Sequence, residues 1–249
     1  MPLRRLALAA ALCLAALPAA ALDLSAMTDA ERDAFRAEVR AYLLDNPEVL
    51  MEAISVLEQR EAQAQVQADA ALVATHLESI VNDGHSWVGG NPEGDVTLVE
   101  FMDYRCGYCR RAFEEVEELV RTDGNIRFIL KEFPILGEQS DLASRFAIAV
   151  QQLHGDQAYK DAHDALMLMQ TDVTEESLSR LAEGLALDPA PILERMAAPE
   201  VQAVLDANHA LARTLQISGT PTFVLGDELV RGYVPLEQMQ ALVEAERAG

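Results

Sequence analysis

Cys106 and Cys109 enclose Gly107 and Tyr108, and their type and spacing specify chemistry more directly than any other residues in the chain. Two thiols three positions apart can form a reversible disulfide, hold a soft metal or staple the chain. Stapling is a poor use, because closing so small a loop is worth only roughly 2 kcal/mol, against about 3 for fifteen residues. A zinc site would need a second pair of ligands, and His76, His85, His154, His163 and His209 show no paired spacing. A redox pair is the strongest reading. Cys106 is expected at a helix N-terminus, where free amides, the macrodipole and the adjacent Arg110 and Arg111 favour a thiolate. Cys109, one turn later and on the apolar face, is expected to be shielded and to attack Cys106 only to resolve a mixed disulfide.

Two further features accompany the pair. Glu100 is a lone carboxylate in the apolar run that leads to the cysteines; burial would raise its pKa and let it relay a proton to Cys109. Lys131, at the end of the neighbouring strand, is its candidate partner. In Gly219-Thr220-Pro221-Thr222 a proline opens a strand to which it cannot donate a hydrogen bond.

The elements that must position these residues form an α/β plan. After the turn cluster at residues 89–95, Val96 to Met102 reads as a buried strand. Cys106 to Arg121 reads as a helix with Cys109, Phe113, Val116 and Val120 on one face, and Ile126 to Lys131 as a second strand, closed by Pro134. Two strands joined by such a helix predict a parallel βαβ unit. Residues 138–214 carry helical patterns only, starting at the candidate cap Ser140 and including Leu142–Leu153, Ala158–Met169 and Glu175–Leu187. Strands return at Thr222–Leu225 and Leu229–Arg231, before a helix from Leu236 to Ala248.

Upstream, Met1 to Ala21 has the pattern of a secretory signal peptide: Arg4 and Arg5, an apolar run of about a dozen residues, then Ala19-Ala20-Ala21. That run is too short for a membrane anchor, which needs ~20 residues. Cys13 lies within it after the bulky Leu12, which argues against a lipid-modified cysteine. Cleavage would leave two cysteines, and 17 basic side chains against 41 acidic ones. So acidic a chain is excluded from the usual nucleic-acid binders, and export permits disulfide chemistry.

Residues 22–82 read as a helical arm and linker. Thr28 to Glu31 matches a capping box, Phe35, Val39 and Tyr42 share a helical face, and Asp45-Asn46-Pro47 separates a second helix reaching about Ile80. That helix carries Leu50, Ile54 and Leu57 at heptad-like spacing, then thins to Ala64, Ala68 and Ala71. Two narrow stripes bury little alone, so the arm must dock on its own chain or pair with copies. The alanine-rich half favours pairing, because it looks like an exposed connector.

Residues 98–109, the helical insertion and Gly219 to Val224 together resemble the DsbA-type thiol oxidoreductases of the thioredoxin superfamily, over about residues 86–249. The resemblance implies a thioredoxin-like α/β fold with an inserted helical domain over residues 83–249. It also implies an attacking Cys106, a resolving Cys109, a cis Pro221 beside the disulfide, Glu100 as the buried acid, and neither metal nor organic cofactor. The arm is similar to that of the suppressor-of-copper-sensitivity protein C group, whose characterised members include trimeric disulfide isomerases. The pair Gly107-Tyr108 and Thr220 before Pro221, expected to face substrate, match the isomerase DsbC rather than DsbA. The expected protein is therefore a periplasmic thiol–disulfide isomerase or reductase, working as a homo-oligomer, a trimer in the first instance. Its expected partners are misoxidised or reduced exported proteins and a membrane redox protein. The alternatives are a DsbA-like dithiol oxidase, a chaperone-like protein with an inert pair, and a copper-tolerance protein. The last would bind Cu(I) through the same cysteines, with His163, Met167 and Met169 as further ligands.

Overall fold

A computed structural model describes residues 26–248; the signal peptide expected at 1–21 and Cys13 lie outside the described residues. The chain divides between Gln59 and Arg60 into two units. In the first, helix α1 (Asp29–Asp45) starts at the expected capping box: Thr28 Oγ1 accepts from the Glu31 amide while the Glu31 carboxylate accepts from the Thr28 amide. Helix α2 (Glu48–Val81) begins just after Pro47. No residue of α1 is buried, and Phe35, Val39, Tyr42, Leu50, Ile54 and Leu57 are all exposed.

The second unit is built on a five-stranded sheet ordered β1-β3-β2-β4-β5, from β1 (Trp87–Gly90), β2 (Val96–Met102), β3 (Ile126–Glu132), β4 (Thr222–Leu225) and β5 (Glu228–Arg231). Strands β2 and β3 are parallel around α3 (Gly107–Asp123), as the βαβ pattern predicted, and the other pairs are antiparallel. The insertion comprises α4 (Glu138–His154), α5 (Asp156–Leu168), α6 (Glu175–Gly184), α7 (Pro189–Met196) and α8 (Pro199–Thr214); α9 (Leu236–Ala248) ends the fold. Because side chains alternate along a strand, Leu98, Met102, Phe128 and Leu130 enter one core with α3, α4 and α5. Val99, Phe101 and Ile129 enter the other. Among the described residues no helix is long and apolar enough to cross a membrane.

Four expectations need correction. Strand β1 was hidden by its glycines: a Cβ on Gly89 would fall 1.9 Å from the Trp87 ring, so that position must be bare for the indole to lie against the strand. Ser140 is no cap; the N-cap of α4 lies three residues earlier at Gly137, whose φ of 104° suits glycine. The buried stripe of α3 is Cys109, Ala112, Val116 and Leu119, which turns Phe113 and Val120 to its margin. The second half of α2 is an exposed connector only in part: Ala64, Ala68 and Ala71 are exposed, but Val73 and Ile80 are buried in the second core and Asp69 pairs with Arg231.

Candidate active site

Strand β2 delivers the chain to the site, and a tight turn reverses it into α3. Cys106 is the N-cap of α3, extended at φ −74° and ψ 117°, with no side-chain capping bond. It is 7% exposed, Cys109 is 0% exposed, and both are free thiols. From across the sheet the Thr220–Pro221 segment, joined by a cis peptide, brings the Thr220 carbonyl within 3.2 Å of Cys106 Sγ, which donates to it as a thiol.

The two sulfurs are driven in opposite directions. A hydrogen bond from the Cys109 thiol is the main support for a Cys106 thiolate; burial opposes it, and the Thr220 side chain with the Cys109 and Tyr108 amides adds to it, bringing the pKa down to about 5. Burial pushes the Cys109 thiol well up, reinforced by its bond to Cys106 and by the like charge of Glu100. The small difference in exposure matters less here than this difference in ionisation. Arg110 and Arg111, expected to help, are engaged otherwise: Arg110 Nε donates to the Tyr104 carbonyl at 2.7 Å, and the Arg111 guanidinium lies 4.4 Å from the Tyr233 ring centroid.

Glu100 is 4% exposed, and burial, followed by the charges of Glu117 and Cys106, lifts its pKa to about 8. Lys131 does not join it. The parallel register sets Glu100 beside Leu130 and Phe101 beside Lys131, so the carboxylate and the ammonium leave opposite faces of the sheet. Lys131 Nζ instead pairs with Asp83 and lies 3.3 Å from Ser86 Oγ. Burial lowers the Lys131 pKa, while Asp83, pushed up by burial, is brought down to about 2 by that ammonium.

Tyr108 is 61% exposed and stacks on Tyr233, their centroids 6.4 Å apart, and Tyr233 donates to Glu115 at 2.6 Å. Gly107 faces open space. Sequence reasoning missed Tyr233, which nothing local distinguishes, and the buried group behind the turn. There, Glu132 accepts from Tyr104 at 2.8 Å and Tyr159 at 2.7 Å, and burial raises its pKa to about 7. The signal that picked out Glu100, a carboxylate in an apolar strand, is weaker at Glu132, which follows Lys131 at the end of the expected strand. His163 Nδ1 lies 3.1 Å from the Tyr104 hydroxyl and burial lowers its pKa to about 3, while Met167 is core. Among the described residues no group of three or more His, Cys, Asp and Glu is placed to hold a metal ion.

A thiol pair at a helix N-terminus, faced by a cis-proline segment on a βαβ-based sheet, defines the thiol–disulfide oxidoreductases of thioredoxin-like fold. The family model described as DSBA-like thioredoxin domain matches residues 97–244, and that of the copper resistance protein ScsC N-terminal domain matches residues 31–64. The chain belongs to the DsbA-like thioredoxin family, whose members catalyse thiol–disulfide exchange.

A thioredoxin-like oxidoreductase from Silicibacter pomeroyi DSS-3 is 45% identical, with a TM-score of 0.65 over 69% of this chain and 98% of that one. BcfH of Salmonella enterica Typhimurium is 29% identical, with a TM-score of 0.75 over 88% and 97% of the respective chains. Proteus mirabilis ScsC, in a transitional conformation, is 28% identical, with a TM-score of 0.65 over 91% and 99%. The chain spans about a quarter of the length of the first curated relatives it matches, Na(+)/H(+) antiporters of Salinispora that are 29% and 28% identical in the matched part.

Proposed function

We propose that this chain is a periplasmic thiol–disulfide isomerase or reductase that acts on exported proteins as a homo-oligomer joined through its arm. The observation that carries the reading is the pair of free thiols, Cys106 at the N-cap of α3 against the Thr220–Pro221 segment and Cys109 fully buried one turn on, an arrangement that favours the thiolate at the first and the thiol at the second. The Cys106 thiolate attacks one sulfur of a client cystine; the client's S–S bond breaks, and its other sulfur leaves as a thiolate. In isomerisation a client thiolate then attacks the mixed disulfide and expels Cys106 as a thiolate. In reduction Cys109 gives its proton to Glu100 in the ionised minority of molecules that a pKa of about 8 leaves at neutral pH, attacks Cys106 Sγ and expels the client thiolate, leaving an oxidised pair for a membrane dithiol partner to reduce.

The exposed stripe of the first unit supports self-association, as does its match to the ScsC N-terminal domain. Copies sharing one client raise the effective thiolate concentration, which favours reshuffling over a single transfer. A copper-handling role is favoured by that same match, with the two sulfurs as ligands and His163 already committed to Tyr104.

The test is refolding of a misoxidised substrate by mature protein and by a form lacking residues 22–59, a boundary that spares the buried residues of α2. Loss of both oligomer and isomerase activity, with dithiol oxidation retained, supports the reading. A Cys106→Ser variant that still unscrambles substrate defeats it, and tight Cu(I) binding without either cysteine would move the protein to copper handling.

A further inference from the structure

Asp103, three residues before Cys106, is fully buried, and no step of the exchange uses it. Both of its carboxylate oxygens are spent on main-chain donors. Oδ1 accepts from the Arg105 amide at 2.7 Å, and Oδ2 accepts from Ile135 at 2.8 Å and Leu136 at 3.1 Å. Its own carbonyl accepts from the Cys106 amide at 3.1 Å, and the Cys106 carbonyl accepts from Arg110 in the first turn of α3. One side chain thus ties the turn carrying Cys106 to the segment after β3, beyond the last sheet-like bond from the Phe133 amide to the Met102 carbonyl.

Three main-chain donors converge on one side chain, and it serves all three because both of its oxygens accept. The thiolate depends on the same local geometry. Its supports, the Cys109 thiol and the Cys109 and Tyr108 amides, point at Sγ only while Cys106 holds its extended N-cap conformation. Thr220 approaches from the segment that leads into β4, so the turn must also be held in place relative to the rest of the sheet.

We propose that Asp103 is a positioning residue for the exchange reaction, whose carboxylate clamps the 103–106 turn to Ile135 and Leu136 and so holds Cys106 Sγ among its donors. The role rests on the exchange reading above but adds a residue that touches neither client nor sulfur through its side chain. Asparagine has nearly the same shape but one accepting oxygen, and its NH2 group would confront an amide on one side of the clamp. Asp103→Asn therefore loosens the turn while leaving the cysteines and Glu100 in the chain.

The test is titration of the Cys106 thiolate by ultraviolet absorbance in the reduced full-length protein, alongside its alkylation rate and thermal unfolding. Asp103→Asn is expected to raise the Cys106 midpoint by about one pH unit, a roughly tenfold loss of thiolate at acidic pH. Leu136→Pro, which deletes one donor at an exposed position, is expected to move it the same way by less. A folded Asp103→Asn protein with an unchanged midpoint and alkylation rate overturns the proposal, even if its melting temperature falls. If Asp103→Asn does not fold, an unchanged midpoint in Leu136→Pro overturns it instead. A wild-type midpoint in the ordinary thiol range would sink the exchange reading itself, so the two failures are distinguishable.

Discussion

The depressed pKa of Cys106 has its main consequence in departure rather than attack. An ordinary thiol near 9 is only about 1% ionised at pH 7, whereas one at about 5 is about 99% ionised, a gain of roughly a hundredfold in thiolate. Intrinsic nucleophilicity falls with pKa at a Brønsted slope of about 0.4–0.5, so the same four-unit change costs roughly 40- to 100-fold in attack. The two effects nearly cancel at pH 7. What survives is the ease with which Cys106 leaves a mixed disulfide, and the persistence of thiolate in acid. Alkylation of the reduced protein is therefore expected to be flat from pH 8 to pH 6 and to fall with a midpoint near 5. Cys109→Ala removes the largest support of the thiolate and should move that midpoint up by more than one pH unit, with little change in alkylation rate at pH 7. A wild-type midpoint near 9, or a Cys109→Ala midpoint equal to wild type, would refute this account of the site.

Other measurements probe the two charges that the sequence associated with the pair. Glu100 has a folded pKa raised to about 8, so the native state retains a proton that the unfolded chain loses above about 4.5. Stability should therefore decline between those pH values and level off above 8; Glu100→Gln should reduce this slope to the part that Glu132 contributes up to about pH 7, and should be more stable than wild type at pH 8 by up to a few kcal/mol. The same variant should slow release of the mixed disulfide while sparing its formation, as followed by quenched mass analysis. Lys131→Met strands the Asp83 carboxylate without its partner and should cost about 3–5 kcal/mol in urea unfolding, with the Cys106 midpoint unmoved because the lysine is on the far face of the sheet.

Much of this protein is set by interactions between near neighbours in the chain. The capping box at Thr28, the apolar runs of β2 and β3, the helix between them, and a cysteine at that helix's N-terminus all depend on residues within a few positions of one another. They could be read directly. So could the burial of Glu100, since a carboxylate within an unbroken apolar strand must share its neighbours' surroundings. Tertiary structure decided what depends on register and distant packing. A one-residue offset between β2 and β3 puts Lys131 on the face opposite Glu100 and gives it to Asp83, 48 positions earlier. The last turns of α2 join the core because Val73 and Ile80 share it with Val99, Phe101 and Ile129, while Ala64, Ala68 and Ala71 stay exposed, and Gly89 must be bare because Trp87 fills the space. Thr220 reaches Cys106 across 114 positions, and Asp103 finds Ile135 and Leu136 beyond a whole strand. A sequence carries the propensity of each segment, but which side chains meet depends on how the sheet and helices pack, and the pairings that set the site's charges are of that second kind.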